Sequence, residues 1–220
     1  GEHSQLTSKL EQIVENNTAF INDAYWQRAY KSDYEIECLK QANEKAAYAH
    51  TVAEEHFRLG KSELDIHLAY LQAAGVLEHQ LPYGNIIALN EHASILHYME
   101  CNANKIDHHR SFLIDAGVSF NGYHSDITRT YSFERNEFAD LINAMNDMQI
   151  NCIDSIETNQ NYLDLHVNAH LQISEIIKQF GFVNMSAESM LESGISGAFF
   201  PHGLGHLIGL QVHDVGGQFL

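Results

Sequence analysis

Apolar positions recur with a helical period over long stretches of the chain and with a strand-like period in its middle. Ile36, Leu39, Ala42, Ala46, Ala49 and Ala53 fall three or four residues apart, which predicts a helix running to Gly60, a natural residue just past a helix end. A capping box marks its start: Ser32, with Glu35 three residues on, satisfies backbone N–H groups that the first turn leaves without partners. Ser62 and Asp65 repeat the device and open a second helix that should close at Gly75. Two longer helices are predicted over about 134–157 and 162–180, and a short one near 186–192. Residues 1–30 read as a polar helix over 8–16 and then an aromatic stretch, Tyr25, Trp26 and Tyr30, with too little apolar periodicity for a core of their own.

The middle of the chain changes period. Ile86 to Leu89, Ser94 to Met99 and Phe112 to Ile114 are short apolar runs separated by Asn, His and Gly, and they predict strands. Val118 to Phe133 predicts a β-hairpin, because Asn121-Gly122 is a favoured pair for a two-residue type I′ turn. Paired helices, a block of strands and paired helices again make an α+β domain. With the turn at Asn121-Gly122, Phe120 faces Tyr123, Val118 faces Ser125, Gly117 faces Asp126 and Asp115 faces Thr128. Alternation then places Asp115 and Asp126 on one face as diagonal neighbours, with Cβ atoms ~7–8 Å apart. Two such carboxylates share one cation or bracket two ions ~3.5–4 Å apart. Their oxygens suit Mg, Mn or Ca, and an added imidazole widens the choice towards Mn, Co or Zn. The plain alternative is a solvated sheet face. FLIDAG argues against it, since Asp115 follows directly on an apolar run where an unpaired charge is costly.

A second block, PHGLGHLIGLQVHDVGG from Pro201 to Gly217, carries His202, His206 and His213. Gly203, Gly205 and Gly209 disfavour a helix, so the segment reads as extended, with His202, Leu204 and His206 on one face. It would bring a metal ligand and flanking proton donors to the acidic hairpin. His92 and His97, in ALNEHASILHY, are weaker signals of the same kind.

Charge narrows the partners. The 220 residues hold 29 acidic against 12 basic side chains, a formal charge of −17 with all 15 histidines neutral. Nucleic acid and anionic membrane surfaces are poor partners for such a field. Cys38, Cys101 and Cys152 show no CxxC spacing, so neither a disulfide framework nor a zinc knuckle is expected. No signal-peptide pattern and no apolar run of ~20 residues occurs, and a cytoplasmic protein is expected.

The blocks RAYKSDYEIECLKQANEKAAYAH, LPYGNIIALNEHASILHY, SFLIDAGVSFNGYHSDITRTYSF and PHGLGHLIGLQVHDVGG resemble the pita-bread (creatinase/aminopeptidase-like) metallopeptidases, and among them the Xaa-Pro dipeptidases, or prolidases. The resemblance runs from about residue 28 onward. It implies a pita-bread catalytic domain over residues 31–220, incomplete at its C-terminus, after a remnant of an N-terminal domain and linker in residues 1–30. It also implies two divalent metal ions, usually Mn, with a bridging water that hydrolyses dipeptides whose C-terminal residue is proline. On the positions that match, Asp115, Asp126 and His206 are implied metal ligands, His97 and His213 catalytic histidines, and Tyr83 and His202 substrate-pocket residues. The family supplies two further glutamate ligands after the histidine block, whereas the only acidic residue between Leu207 and Leu220 is Asp214. Weak or partial metal occupancy and no appreciable hydrolysis are therefore expected of this polypeptide, as is a homodimer. Aminopeptidase P, organophosphate-hydrolysing relatives of prolidase and a metal-free binding module of the same fold are the alternatives.

Overall fold

The structure, a computed structural model, describes residues 18–216, so the helix expected over 8–16 lies outside the described residues. Helix α1 (Thr18–Ala29) buries none of its side chains. Helices α2 (Asp33–Arg58) and α3 (Glu63–Ala74) form the expected pair. Both capping boxes are present: Ser32 N–H donates to Glu35 Oε2 at 2.8 Å, and Asp65 N–H donates to Ser62 Oγ at 3.2 Å. Gly60 and Gly75 take left-handed conformations, φ 69° and 66°, as the ends of these helices require.

Strands β1 (Ile86–Leu89), β2 (Ser111–Ala116) and β5 (Ile127–Ser132) form an antiparallel sheet with β2 in the centre. Between β2 and β5, the two-residue strands β3 (Ser119–Phe120) and β4 (Tyr123–His124) make a separate ribbon. Its turn has positive φ at both Asn121 and Gly122, 50° and 84°, the type I′ signature. The expected register holds, with Phe120 opposite Tyr123 and Asp115 opposite Thr128. The hairpin divides at Ser125, whose buried Oγ accepts from Val118 N–H at 2.9 Å and so takes a place that a ladder bond would fill.

Alternation along β2 sorts its side chains. Phe112, Ile114 and Ala116 are buried against Ala46, Ala49, Ala53 and Phe57 of α2 and Ile66 and Tyr70 of α3. The small alanine stripe lets α2 lie close to the sheet. Asp115 therefore falls on the other face, with Leu113, where Ile86, Ala88 and Tyr98 form a minor cluster.

One expected strand is absent. Ser94 to Met99 follows a 3-10 turn (Asn90–Ser94) and does not pair, because His97 sits at φ 54° and Ile95, Leu96 and Met99 stay exposed. Beyond the sheet come α4 (Glu137–Asp154), α5 (Tyr162–Gln179), α6 (Ala187–Glu192) and α7 (Ile195–Phe199), packed around Ile173, Ile177 and Met190. Helix α4 starts three residues later than expected, because Asn136 Oδ1 caps Ala139 N–H at 3.1 Å. Helix α7, which is five residues long and directly follows Gly194, is too short to show a period.

Candidate metal centre

Asp115 lies on central strand β2, and Asp126 immediately precedes β5. Both carboxylates reach one phenol: Tyr83 Oη is 2.8 Å from Asp115 Oδ1 and 3.0 Å from Asp126 Oδ1. The diagonal pairing read from the hairpin thus brings the two aspartates together. A phenol has one proton, so it donates to one carboxylate at a time and leaves the other facing an oxygen. Burial pushes the Asp115 carboxyl above the usual range, and the charge of Asp126 adds to this; hydrogen bonds from Tyr83 and Thr128 and the charge of His97 oppose it. Burial and the two carboxylates push the Tyr83 phenol far up, so it stays protonated.

The second oxygen of Asp126 meets the histidine block. His206 Nε2 lies 3.1 Å from Asp126 Oδ2, while its Nδ1 lies 2.9 Å from the Leu207 carbonyl. A carbonyl only accepts, so the Nδ1 proton is engaged there and the Nε2 lone pair is turned towards the carboxylate. Such a ring needs either a second proton or a cation between it and Asp126. His213 completes the group, with its ring centroid 4.1 Å from that of His206. Ligand atoms of Asp126, His206 and His213 all lie within 4.8 Å of one another. Carboxylates converging on one donor, beside an imidazole oriented by its backbone, fit a hard-to-borderline divalent cation.

The other expected residues fall out unevenly. His97 is exposed but within electrostatic reach of Asp115. His202 is exposed and outside the group of ligand atoms around Asp126, because the histidine block bends instead of running extended. Tyr83, expected in a substrate pocket, has its hydroxyl committed to the two aspartates. A concavity of about 1150 Å³ between Arg58, Lys105, Arg110 and Phe133 opens at the far end of β2, near Ser111, away from the carboxylates.

Two anchoring residues were not found from the sequence. Glu63, 2% exposed, accepts from Leu89 N–H at 2.9 Å, His92 Nδ1 at 2.7 Å, Tyr98 Oη at 2.8 Å and Asn102 N–H at 2.9 Å, which ties down the loop that carries His97. Asp214 is paired with Arg28 at 2.5 Å and Lys31 at 3.2 Å, and its backbone N–H donates to the Leu207 carbonyl at 2.8 Å. It fixes the loop between His206 and His213 onto the end of α1. The adjacency of Asp214 to His213 was the only local signal for it, and Glu63 had none.

Residues 37–220 match the metallopeptidase family M24. The chain belongs to metallopeptidase family M24. Peptidases of this family are dinuclear metal enzymes, in agreement with the carboxylate and imidazole donors assembled here. This M24 chain is 46% identical over 217 residues to the Xaa-Pro dipeptidase of Colwellia psychrerythraea and 45% identical over 217 residues to that of Shewanella amazonensis. Each match takes in 99% of this chain and 49% of the relative, so the chain spans about half the length of the curated relatives it matches. Among solved structures, zinc-substituted Escherichia coli aminopeptidase P with product superposes with a TM-score of 0.79 at 28% identity, over 87% of this chain and 44% of that one. A substrate complex of an Escherichia coli aminopeptidase P variant gives 0.82 at 27% identity, over 90% of this chain and 46% of that one. The M24 chain thus has the pita-bread fold over the part it shares with these enzymes, and it covers about half of each.

Proposed function

We propose that the whole protein is an Xaa-Pro dipeptidase, a metal-dependent hydrolase of dipeptides with proline at the C-terminal position. The observation that carries this reading is the convergence of Asp115, Asp126 and His206 in a chain 46% identical to a named Xaa-Pro dipeptidase. Those three side chains would hold the cations, with His213 beside them; their mixed oxygen and nitrogen donors admit Mn, Co or Zn, and Mn is the ion the family resemblance implies. Divalent ions bound there would lower the pKa of water towards ~7 and would polarise the scissile carbonyl.

The chain's own groups serve the remaining needs. A prolyl amide nitrogen carries no hydrogen, so recognition rests on the ring, the free amine and the terminal carboxylate. That nitrogen must take up a proton as it leaves. His213, next to His206, and His97, within reach of Asp115, are the imidazoles placed to deliver it. Tyr83 orients the two aspartates, and the exposed His202 is left free for the peptide. Three ligands of the five that the family resemblance implies support partial metal occupancy and no Xaa-Pro turnover by the 220-residue polypeptide. A cytoplasmic homodimer completes the proposal. Among the described residues no helix is long and apolar enough to cross a membrane.

The test is the Mn-loaded whole protein assayed on Leu-Pro and on a tripeptide with proline in its middle. Hydrolysis of Leu-Pro, abolished by chelation and by Asp126→Asn, is expected. Aminopeptidase P is the second reading, favoured by the superpositions; cleavage before proline in the tripeptide with Leu-Pro untouched would establish it instead.

A further inference from the structure

Helix α5 carries a pair of imidazoles that the centre around Asp126 does not use. His166 and His170 are one helical turn apart, and their Nε2 atoms lie 3.2 Å from each other. The rings meet edge to face, with centroids 4.6 Å apart. His170 is buried, and its Nδ1 lies 3.0 Å from Oγ of Ser196, a residue of α7 that is 1% exposed. With the His170 Nδ1–H donating to Ser196, the Nε2 lone pair of His170 faces His166.

We propose that His166 and His170 form a bidentate site for a borderline divalent cation, Zn, Ni or Cu, bound through both Nε2 atoms. Two imidazole nitrogens held at ~2.0–2.1 Å by a tetrahedral ion stand roughly 3.3 Å apart, close to the separation already present. The donors are imidazoles without a carboxylate, which selects against Mg and Ca. Ser196 supplies the hydrogen bond from behind that fixes ring orientation in sites of this kind. Burial, and then the neighbouring His166, hold the His170 pKa below the usual imidazole range, so this ligand is neutral and ready near pH 7. His166 needs only to move its proton from Nε2 to Nδ1, and its partial exposure leaves the remaining coordination positions to water.

The location gives the ion a structural consequence. The ring of Phe200 packs on both histidines, at 5.8 and 5.1 Å between centroids, and Pro201 follows it into the histidine block. Tyr162, on the same helix, donates to the Gly205 carbonyl at 2.8 Å. A cation clipping His166 to His170 braces the stretch of α5 on which that block rests.

Zinc titration by calorimetry in a His206→Ala background, where the other centre has lost a ligand, tests the proposal. One zinc event should remain, and adding His166→Ala should weaken it at least tenfold. Ser196→Ala should weaken it about tenfold through loss of the orienting bond. Far-UV circular dichroism checks that each variant is folded. Independently of any variant, long-range proton–nitrogen spectra should show the Nε2 resonances of His166 and His170 moving together with added zinc. Unchanged zinc affinity on adding His166→Ala, or movement confined to other imidazoles, overturns the proposal.

Discussion

At Gly117 the backbone passes between Tyr83 and the opposite strand with no room for a side chain. A Cβ there would stand 2.1 Å from the Ser125 carbonyl oxygen and 2.9 Å from Tyr83 Cε1. Backbone cannot swing aside as a side-chain tip can, so Gly117→Ala must displace Ser125 and with it Asp126. A loss of about 1–3 kcal/mol is expected from such overpacking, together with weaker Mn uptake. A denaturant midpoint and a Mn titration check both, and wild-type values in the two would show that the gap is not needed. His50 sets a different expectation. Its Nε2–H donates to the Ala116 carbonyl at 3.1 Å, and burial holds its pKa below the usual value of 6.5. Above that pH neither the folded nor the unfolded chain protonates the ring. As pH falls, the unfolded chain takes up the proton first, so stability declines from about pH 6.5 towards the depressed folded value. His170 acts in the same direction. The thermal midpoint should therefore drop between pH 7 and 5.5, and drop less in His50→Gln, whose amide can still donate to Ala116.

Elements meet at the site through ties that are long in sequence. Helix α1 and the turn after it reach the histidine block through Arg28 and Lys31, both paired with Asp214, whose side chain is 2% exposed. Asp214→Asn leaves two cations facing a neutral group, and a loss of about 2–3 kcal/mol is expected, with looser metal binding because His213 is adjacent. Glu54→Gln is the comparison: its pair with Arg58 lies along one exposed helix face and should be worth less than about 1 kcal/mol. Urea unfolding of the two variants separates them, and equal losses would refute the clamp. The contrast also explains what could be read in advance. Asn121-Gly122 and strand alternation are local, so the register that joins Asp115 to Asp126 was legible, as were the caps at Ser32 and Ser62. Glu63 draws its partners from 26 to 39 residues away, and no spacing announces it. Ser94 to Met99 misled because Ile95, Leu96 and Met99 are exposed in a loop held by Glu63. The extended face expected of His202, Leu204 and His206 does not form, because the segment bends.

Across the whole molecule, 29 acidic groups set the background in which a cation site operates. A cation that binds only the folded chain stabilises it by mass action, about 2.7 kcal/mol at a hundred times its dissociation constant. For a domain of this size that is roughly 5–10 °C in the thermal midpoint. Mn should produce such a rise, EDTA should reverse it, and Asp126→Asn should show neither; an equal rise in that variant would move the site elsewhere. Trp26, the single tryptophan of the chain, stands on α1 two residues before Arg28, half exposed and in edge contact with Tyr30 at 5.4 Å. Its fluorescence is thus a built-in optical gauge, without any label, of whether the first helix is seated on the loop that carries His206 and His213.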